Sequence, residues 1–314
     1  MNVIWILLGL ALLLGGGELL VRGAADLALR FKISPWIIGL TIVSFSTSAP
    51  ELLVSIDAAI KGFPDVAIGN VVGSNIVNIG FILALTAMFF KFDVEPKALK
   101  FDMPILIFFT LVYYILIAAD GETGWLDGVV LFSLIVIYVG FLVHTSRKDN
   151  KIKFEAGHEF EAAKMHWVKS TLLLLVGLLL LKYGASFLVE GAVALASGIG
   201  ISERVIGLTI VAIGTSLPEL AASLVSAYRG QREMSLGNIV GSNIFNIGSV
   251  IGVSSMITPL KASSSQMVQV DFPAMMLFTL ILPFLILIGK KGSLNLWKAS
   301  ILLAGYIMYI IILF

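Results

Sequence analysis

The residues Thr47-Ser48-Ala49-Pro50-Glu51 interrupt a strongly apolar run, and the pattern returns 168 positions later as Thr215-Ser216-Leu217-Pro218-Glu219. A carboxylate at the centre of a membrane helix is unfavourable by about 2.5 to 3.5 kcal/mol, and such groups usually face a pathway or a partner. Two at matched positions call for a shared reason. Pro50 has no amide hydrogen, so the carbonyl of Ser46 loses its helical partner and the ring displaces the carbonyl of Thr47; Pro218 does the same for Gly214 and Thr215. In hydrocarbon, freed carbonyls are tolerated where a cavity, a water or an ion satisfies them. The rival reading is that each glutamate caps a helix or pairs with a buried base. The nearest bases are Lys61 and Arg229, ten residues C-terminal.

Working outward, Ile33 to Gly80 aligns without a gap to Ile201 to Gly248, with 26 of 48 positions identical. This is an internal duplication. It extends weakly upstream, where Gly16, Leu20, Val21 and Gly23 match Gly184, Leu188, Val189 and Gly191. At helical spacing Ser44, Thr47/Ser48, Glu51 and Ser55 form one polar stripe, with Thr215/Ser216, Glu219 and Ser223 as its counterpart. A second pair of segments, Gly69 to Asn78 and Gly237 to Asn246, adds Asn70/Ser74/Asn78 and Asn238/Ser242/Asn246 at i, i+4, i+8. Gly69/Gly73 and Gly237/Gly241 also fit the small-xxx-small pattern of close helix packing, so these segments alone are compatible with interhelical glue.

The 314 residues are 58% hydrophobic and 13% charged, with mean hydropathy +1.01. Charged content is about half that of a soluble domain, and the apolar runs approach the ~20 residues that span a bilayer as a helix. An all-α polytopic membrane protein follows. Spans are expected near 2–30, 35–60, 65–89, 103–119, 125–144, 167–197, 203–228, 234–258, 272–289 and 294–313. The segments divide as 1–144, a first five-helix repeat; 145–166, a charged linker; and 167–314, the second repeat. An odd number of spans per half makes the second repeat enter from the opposite face, an inverted repeat. With the N-terminus outside, the cytoplasmic loops carry 17 of the 21 Lys and Arg, so the positive-inside rule puts both termini outside the cell. The first apolar run lacks a basic n-region and a cleavage motif, so it reads as a retained helix.

Net charge of +1 and the lack of a basic stripe argue against nucleic acid. No Walker loop is present for nucleotide, and no nucleophile stands beside a plausible base, so an enzyme is not expected. There are no cysteines, and the three histidines, His144, His158 and His166, fall at a span end and in the linker. The two segment pairs supply oxygen only, the ligand set of hard cations; calcium takes about 6 to 8 oxygens. Glu18, Glu190, Arg22 and Asp26 read as interfacial capping or snorkelling groups, and the glycines at 15 to 17 as packing.

The stretches Gly39 to Glu51 and Gly207 to Glu219, each followed by Gly-Ser-Asn-Ile-x-Asn-Ile-Gly, resemble the alpha repeats of the cation/calcium exchanger superfamily, especially prokaryotic sodium/calcium exchangers. The resemblance covers nearly the whole chain. It implies ten helices, inverted repeats, and calcium and sodium as transported ions, with no cofactor. By the same resemblance, calcium is assigned to Glu51 and Glu219 with the carbonyls of Thr47 and Thr215. Sodium would use these glutamates with Ser48, Ser216, Ser74, Ser242 and backbone carbonyls near Ala212, with Asn78 and Asn246 in the middle of the cluster. Some members carry Asp where this chain has Asn246. Calcium/proton exchange, sodium/proton antiport and a cation channel stay open beside it.

Overall fold

The computed structural model describes residues 2–31, 33–155, 165–198, 212–262, 264–289 and 292–313. Almost all of them are helical. Among the described residues eight helices are long and apolar enough to cross a membrane, and a ninth span forms if Pro35–Thr47 and Ala49–Ile60, bent by 41°, are taken together. The expected seventh span lies partly outside the described residues, at 203–211, as do Lys32, Arg204, Lys290, Lys291 and linker residues 156–164 with His158 and Lys164.

In chain order the helices are α1 (Asn2–Phe31), α2 (Pro35–Thr47), α3 (Ala49–Ile60), α4 (Pro64–Phe89), α5 (Ala98–Ala119), α6 (Trp125–Glu155), α7 (Trp167–Gly198), α8 (Ala212–Thr215), α9 (Leu217–Tyr228), α10 (Arg232–Ile257), α11 (Met267–Leu287) and α12 (Leu296–Leu313). Three ends differ from expectation for a physical reason. α5 and α11 begin several residues early because a π turn, Ala98–Asp102 or Met267–Asp271, precedes each apolar run. α6 continues past the apolar stretch to Glu155, where the charged linker residues are good helix formers.

The chain forms two compact units, each built from both sequence halves. One comprises Met1–Thr47 and Gly140–Asn238. In it α1 and α7 pack closely and antiparallel along most of their length. Gly9, Gly16 and Gly23 recur every seventh residue and meet Gly184, Gly177 and Ser170. A Cβ added to Gly9 would come within 2.6 Å of the Leu188 amide nitrogen, and one on Gly23 within 2.5 Å of the Ser170 carbonyl. Gly17 turns toward Ala221 and Val225 of α9. α2 starts on Ser34, whose hydroxyl accepts from the Ile37 amide, with Pro35 at its first position. Its Gly39 lies against the Met234 carbonyl, while Gly237 lies against that of Trp36, so α2 and the start of α10 cross backbone to backbone.

Polar ties fasten this unit. Asp26 accepts from the Ser170 hydroxyl at 2.6 Å and the Met165 amide at 3.0 Å, joining α1 to the start of α7. Glu18 pairs with Arg22 on its own helix and with Arg229 at the end of α9. Glu18 and Asp26 therefore bridge elements, where the sequence suggested only snorkelling or capping.

The other unit comprises Ser48–Val139 and Ile239–Phe314. α3 turns into α4 through Gly62, whose φ of +79° a side chain would resist. α3 packs on the second half of α10, and α4 packs on α10, α11 and α12. Two antiparallel ribbons of two residues each close the helix ends: β1 (Phe92–Asp93) with β4 (Ser293–Leu294), and β2 (Glu122–Thr123) with β3 (Leu260–Lys261). Two matched bonds bind α5 to α6 and α11 to α12: Tyr138 donates to Asp102 at 2.7 Å and Tyr309 to Asp271 at 2.8 Å.

Candidate cation site

The backbone breaks where the two repeated stretches predict it. Ser48 (φ −82°, ψ 3°) and Ser216 (φ −91°, ψ 8°) leave helical geometry, and a new helix starts at the next residue. Pro50 and Pro218 occupy its first turn, where the missing amide hydrogen costs nothing. Regular bonding resumes at once, with the carbonyls of Ser48 and Ser216 accepting from Leu52 and Leu220 at 3.1 Å each. Glu51 and Glu219 thus stand at the third position of a helix, where the macrodipole favours an anion. Both are fully buried.

Ser-x-x-Glu is also the pattern of a capping box. Here neither Ser48 nor Ser216 makes a side-chain capping hydrogen bond. The two bases proposed by the rival reading are engaged elsewhere: Lys61 holds Asp57 at 2.7 Å and Arg229 holds Glu18. Neither a serine side-chain cap nor Lys61 or Arg229 therefore accounts for the glutamates.

Not every polar residue of the stripes is a donor for a cation. Ser44 gives its hydroxyl to the Leu40 carbonyl at 2.7 Å. Ser55 accepts from Asn70 at 2.9 Å, and Asn70 also donates to the Glu51 carbonyl at 3.1 Å. The repeat-related Ser223 accepts from Asn238 at 3.0 Å, while Asn238 accepts from the Thr47 hydroxyl at 3.3 Å. Asn70 and Asn238 are thus braces, each holding a helix that carries a broken stretch.

The other residues that the sequence singles out as candidate donors divide between the units. In the first lie Thr47, fully buried, Ser216, Glu219 and, in or beside α8, Ala212 and Thr215. The hydroxyl of Ser216 is buried and has no hydrogen-bond partner among the described residues. In the second lie Ser48, Glu51, Ser74, Asn78, Ser242 and Asn246, every one of them buried. The hydroxyls of Ser74 and Ser242 and the side-chain oxygens of Asn78 and Asn246 have no hydrogen-bond partner among the described residues.

Asn78 and Asn246 each open a π turn, Asn78–Leu83 and Asn246–Ile251, whose extra residue re-aims the helix face. Their amide nitrogens are taken up across the repeats. Asn78 donates to the side chain of Asn243 at 3.1 Å, and Asn246 donates to that of Asn75 at 3.0 Å. Asn75 and Asn243 lie one residue off the stripe that the spacing picks out, so spacing missed them. Among the described residues no three of His, Cys, Asp and Glu gather in a way that could hold a metal ion. Each unit therefore holds one buried glutamate beside neutral oxygens, a chemistry that suits a hard cation.

A multi-pass membrane protein with buried oxygen donors doubled along the chain is defined by these features. The chain belongs to the sodium/calcium exchanger protein family, whose model matches residues 1–144 and 169–314. It is 41% identical over 317 residues to CaxA of Alkalimonas amylolytica, covering 99% of this chain and 98% of that one. It is 31% identical over 347 residues to the sodium/calcium exchanger MaX1 of Methanosarcina acetivorans, covering 100% and 98%. Among solved structures, the sodium-calcium exchanger NCX_Mj, soaked with sodium and calcium, superimposes with a TM-score of 0.83 at 35% identity, over 99% of this chain and 97% of that one.

Proposed function

We propose that this chain is a secondary antiporter of the cell membrane that exchanges calcium for sodium by alternating access. Ten helices in two inverted five-helix repeats, 1–144 and 167–314, joined by the linker 145–166, form the transporter, with both termini outside. The observation that carries the reading is the doubling of one oxygen set: a buried glutamate in the first turn after a helix break, with a serine at the break, in each copy. Glu51 and Glu219, with the carbonyls of Thr47 and Thr215, ligate calcium. Sodium uses the same glutamates with Ser48, Ser216, Ser74, Ser242, Asn78, Asn246 and carbonyls near Ala212.

Both glutamates ionised give a formal charge of −2, which one calcium or two sodium ions cancel. An uncompensated charge is costly inside the membrane, so the loaded protein interconverts between access states and the empty one does not. Obligatory exchange follows. The test is radioactive calcium uptake into reconstituted vesicles under sodium, potassium and proton gradients imposed one at a time. Uptake driven by an outward sodium gradient, abolished in Glu51→Gln, is expected. Uptake that ignores sodium and follows the pH gradient selects calcium/proton exchange instead.

A further inference from the structure

We infer that Asn75 and Asn243 are positioning residues that fix which end of the Asn78 and Asn246 side chains the transported cation meets. The inference rests on the exchange reading above. A primary amide has an oxygen that attracts a cation and an NH₂ group that repels one, and a half-turn of the side chain exchanges them. In an unconstrained asparagine both orientations are available. Here each NH₂ is claimed by an acceptor, the side-chain oxygen of Asn243 for Asn78 and that of Asn75 for Asn246. All four residues are at most 2% exposed, so bulk solvent does not compete for those acceptors. The consequence is visible at the other end of each amide, where the oxygens of Asn78 and Asn246 make no hydrogen bond among the described residues.

The two locks are unequal. Asn75 is itself held, its NH₂ donating to the Asn243 carbonyl at 3.2 Å and lying 3.8 Å from the Met275 sulfur. The Asn243 NH₂ is buried with no hydrogen-bond partner among the described residues, so its own orientation rests on accepting from Asn78. Asn75 is therefore the firmer lock, and Asn246 the more strictly oriented oxygen. Neutral oxygens matter most to the monovalent ion, because the carboxylates are the principal ligands of calcium in the proposed assignment. The sodium-to-calcium affinity ratio is then a property of the pair Asn75/Asn246.

The experiment measures half-saturation by sodium and by calcium separately, in vesicles carrying wild type, Asn75→Leu, Asn246→Leu and the double variant. Asn75→Leu keeps the volume and removes the acceptor. It is expected to raise the sodium value about tenfold and the calcium value far less, a factor that matches the loss of one oriented ligand. Adding Asn75→Leu to Asn246→Leu is expected to change neither value further, because the lock acts through the oxygen already removed. A ratio unchanged in Asn75→Leu, or effects that multiply in the double variant, would overturn the positioning role while leaving exchange intact. Wild-type vesicles without sodium-driven calcium uptake would overturn the exchange reading and this inference with it. If Asn75→Leu does not fold, Asn75→Ser, which retains a hydroxyl acceptor, is expected to show a smaller shift of the same sign, and no shift in it counts against the lock.

Discussion

A Cβ built on Gly16 would lie 2.9 Å from the Gly177 carbonyl oxygen, and one built on Gly177 would lie 2.8 Å from that of Gly16. The two helices α1 and α7 therefore touch backbone to backbone, which any larger residue would forbid. Lipid tails are as apolar as leucine, so close packing of this kind is a main source of helix association in a membrane. Gly16→Leu or Gly177→Leu is expected to lower stability by about 1 to 3 kcal/mol through overpacking. Gly15, with nothing within 4 Å of a built Cβ, is the control. Gly15→Ala is expected to be neutral or stabilising by up to about 1 kcal/mol from helix propensity. Unfolding midpoints in detergent compare the three.

The buried glutamates give a prediction with two parts. Without calcium or sodium, Glu51→Gln and Glu219→Gln are expected to be at least as stable as wild type, because an amide removes the cost of burying a carboxylate. Calcium at a hundred times its dissociation constant stabilises a binding protein by about 2.7 kcal/mol. That increment is expected in the wild type and absent in both variants, read as a calcium-dependent shift in thermal unfolding. A full shift in either variant would remove that glutamate from the ligand set.

Asn70 and Asn238 brace the helices without a cation role of their own. Asn70→Ala removes the donor to the Ser55 hydroxyl and the Glu51 carbonyl, although Ser55 still donates to the Ala67 carbonyl; Asn238→Ala removes the donor to the Ser223 hydroxyl and one of two acceptors of the Thr47 hydroxyl, the other being the Ser44 carbonyl. Each is expected to cost about 0.5 to 1.5 kcal/mol, the net worth of a buried hydrogen bond whose partners keep other contacts. Calcium affinity should fall in both while the sodium-to-calcium ratio holds, which separates the braces from Asn75. Denaturant titration with paired ion titrations is the measurement.

The Glu18–Arg229 pair joins α1 to the end of α9 with both side chains about a third exposed, 28% and 34%. Water and salt screen such a pair, so its coupling in a double-mutant cycle is expected below about 1 kcal/mol. The charge-swapped double variant Glu18→Arg/Arg229→Glu is expected to recover most of what either single change loses. Failure of the swap would point to Arg22, which shares Glu18, as the partner that matters.

Much of this was legible in the residues. Hydropathy located the helices because a span must be apolar over its whole length, and Pro50 and Pro218 located the breaks because proline cannot donate. The glutamates stood out for the same energetic reason. What one stretch could not reveal was the choice of partner. Asn70, Asn75 and Asn78 carry the same amide, yet Asn70 ties α3 to α4, Asn75 accepts from Asn246, and Asn78 donates to Asn243 and leaves its oxygen without a hydrogen bond among the described residues. Those roles depend on which residue from the other repeat stands opposite. The π turns at Asn78 and Asn246 add to this, since the extra residue shifts the face that an i, i+4 count assumes. Glu18 and Asp26 were underread similarly, because their partners, Arg229 and Ser170, lie 211 and 144 residues away.

The crossed amides also make each copy depend on the other. Asn78 belongs to the first copy and is held by Asn243 of the second; Asn246 belongs to the second and is held by Asn75 of the first. Neither copy completes its own oxygen. Taken alone, either copy would lack the acceptor that holds its own amide. A change at Asn75 or Asn243 is therefore felt first in the opposite copy, at Asn246 or Asn78.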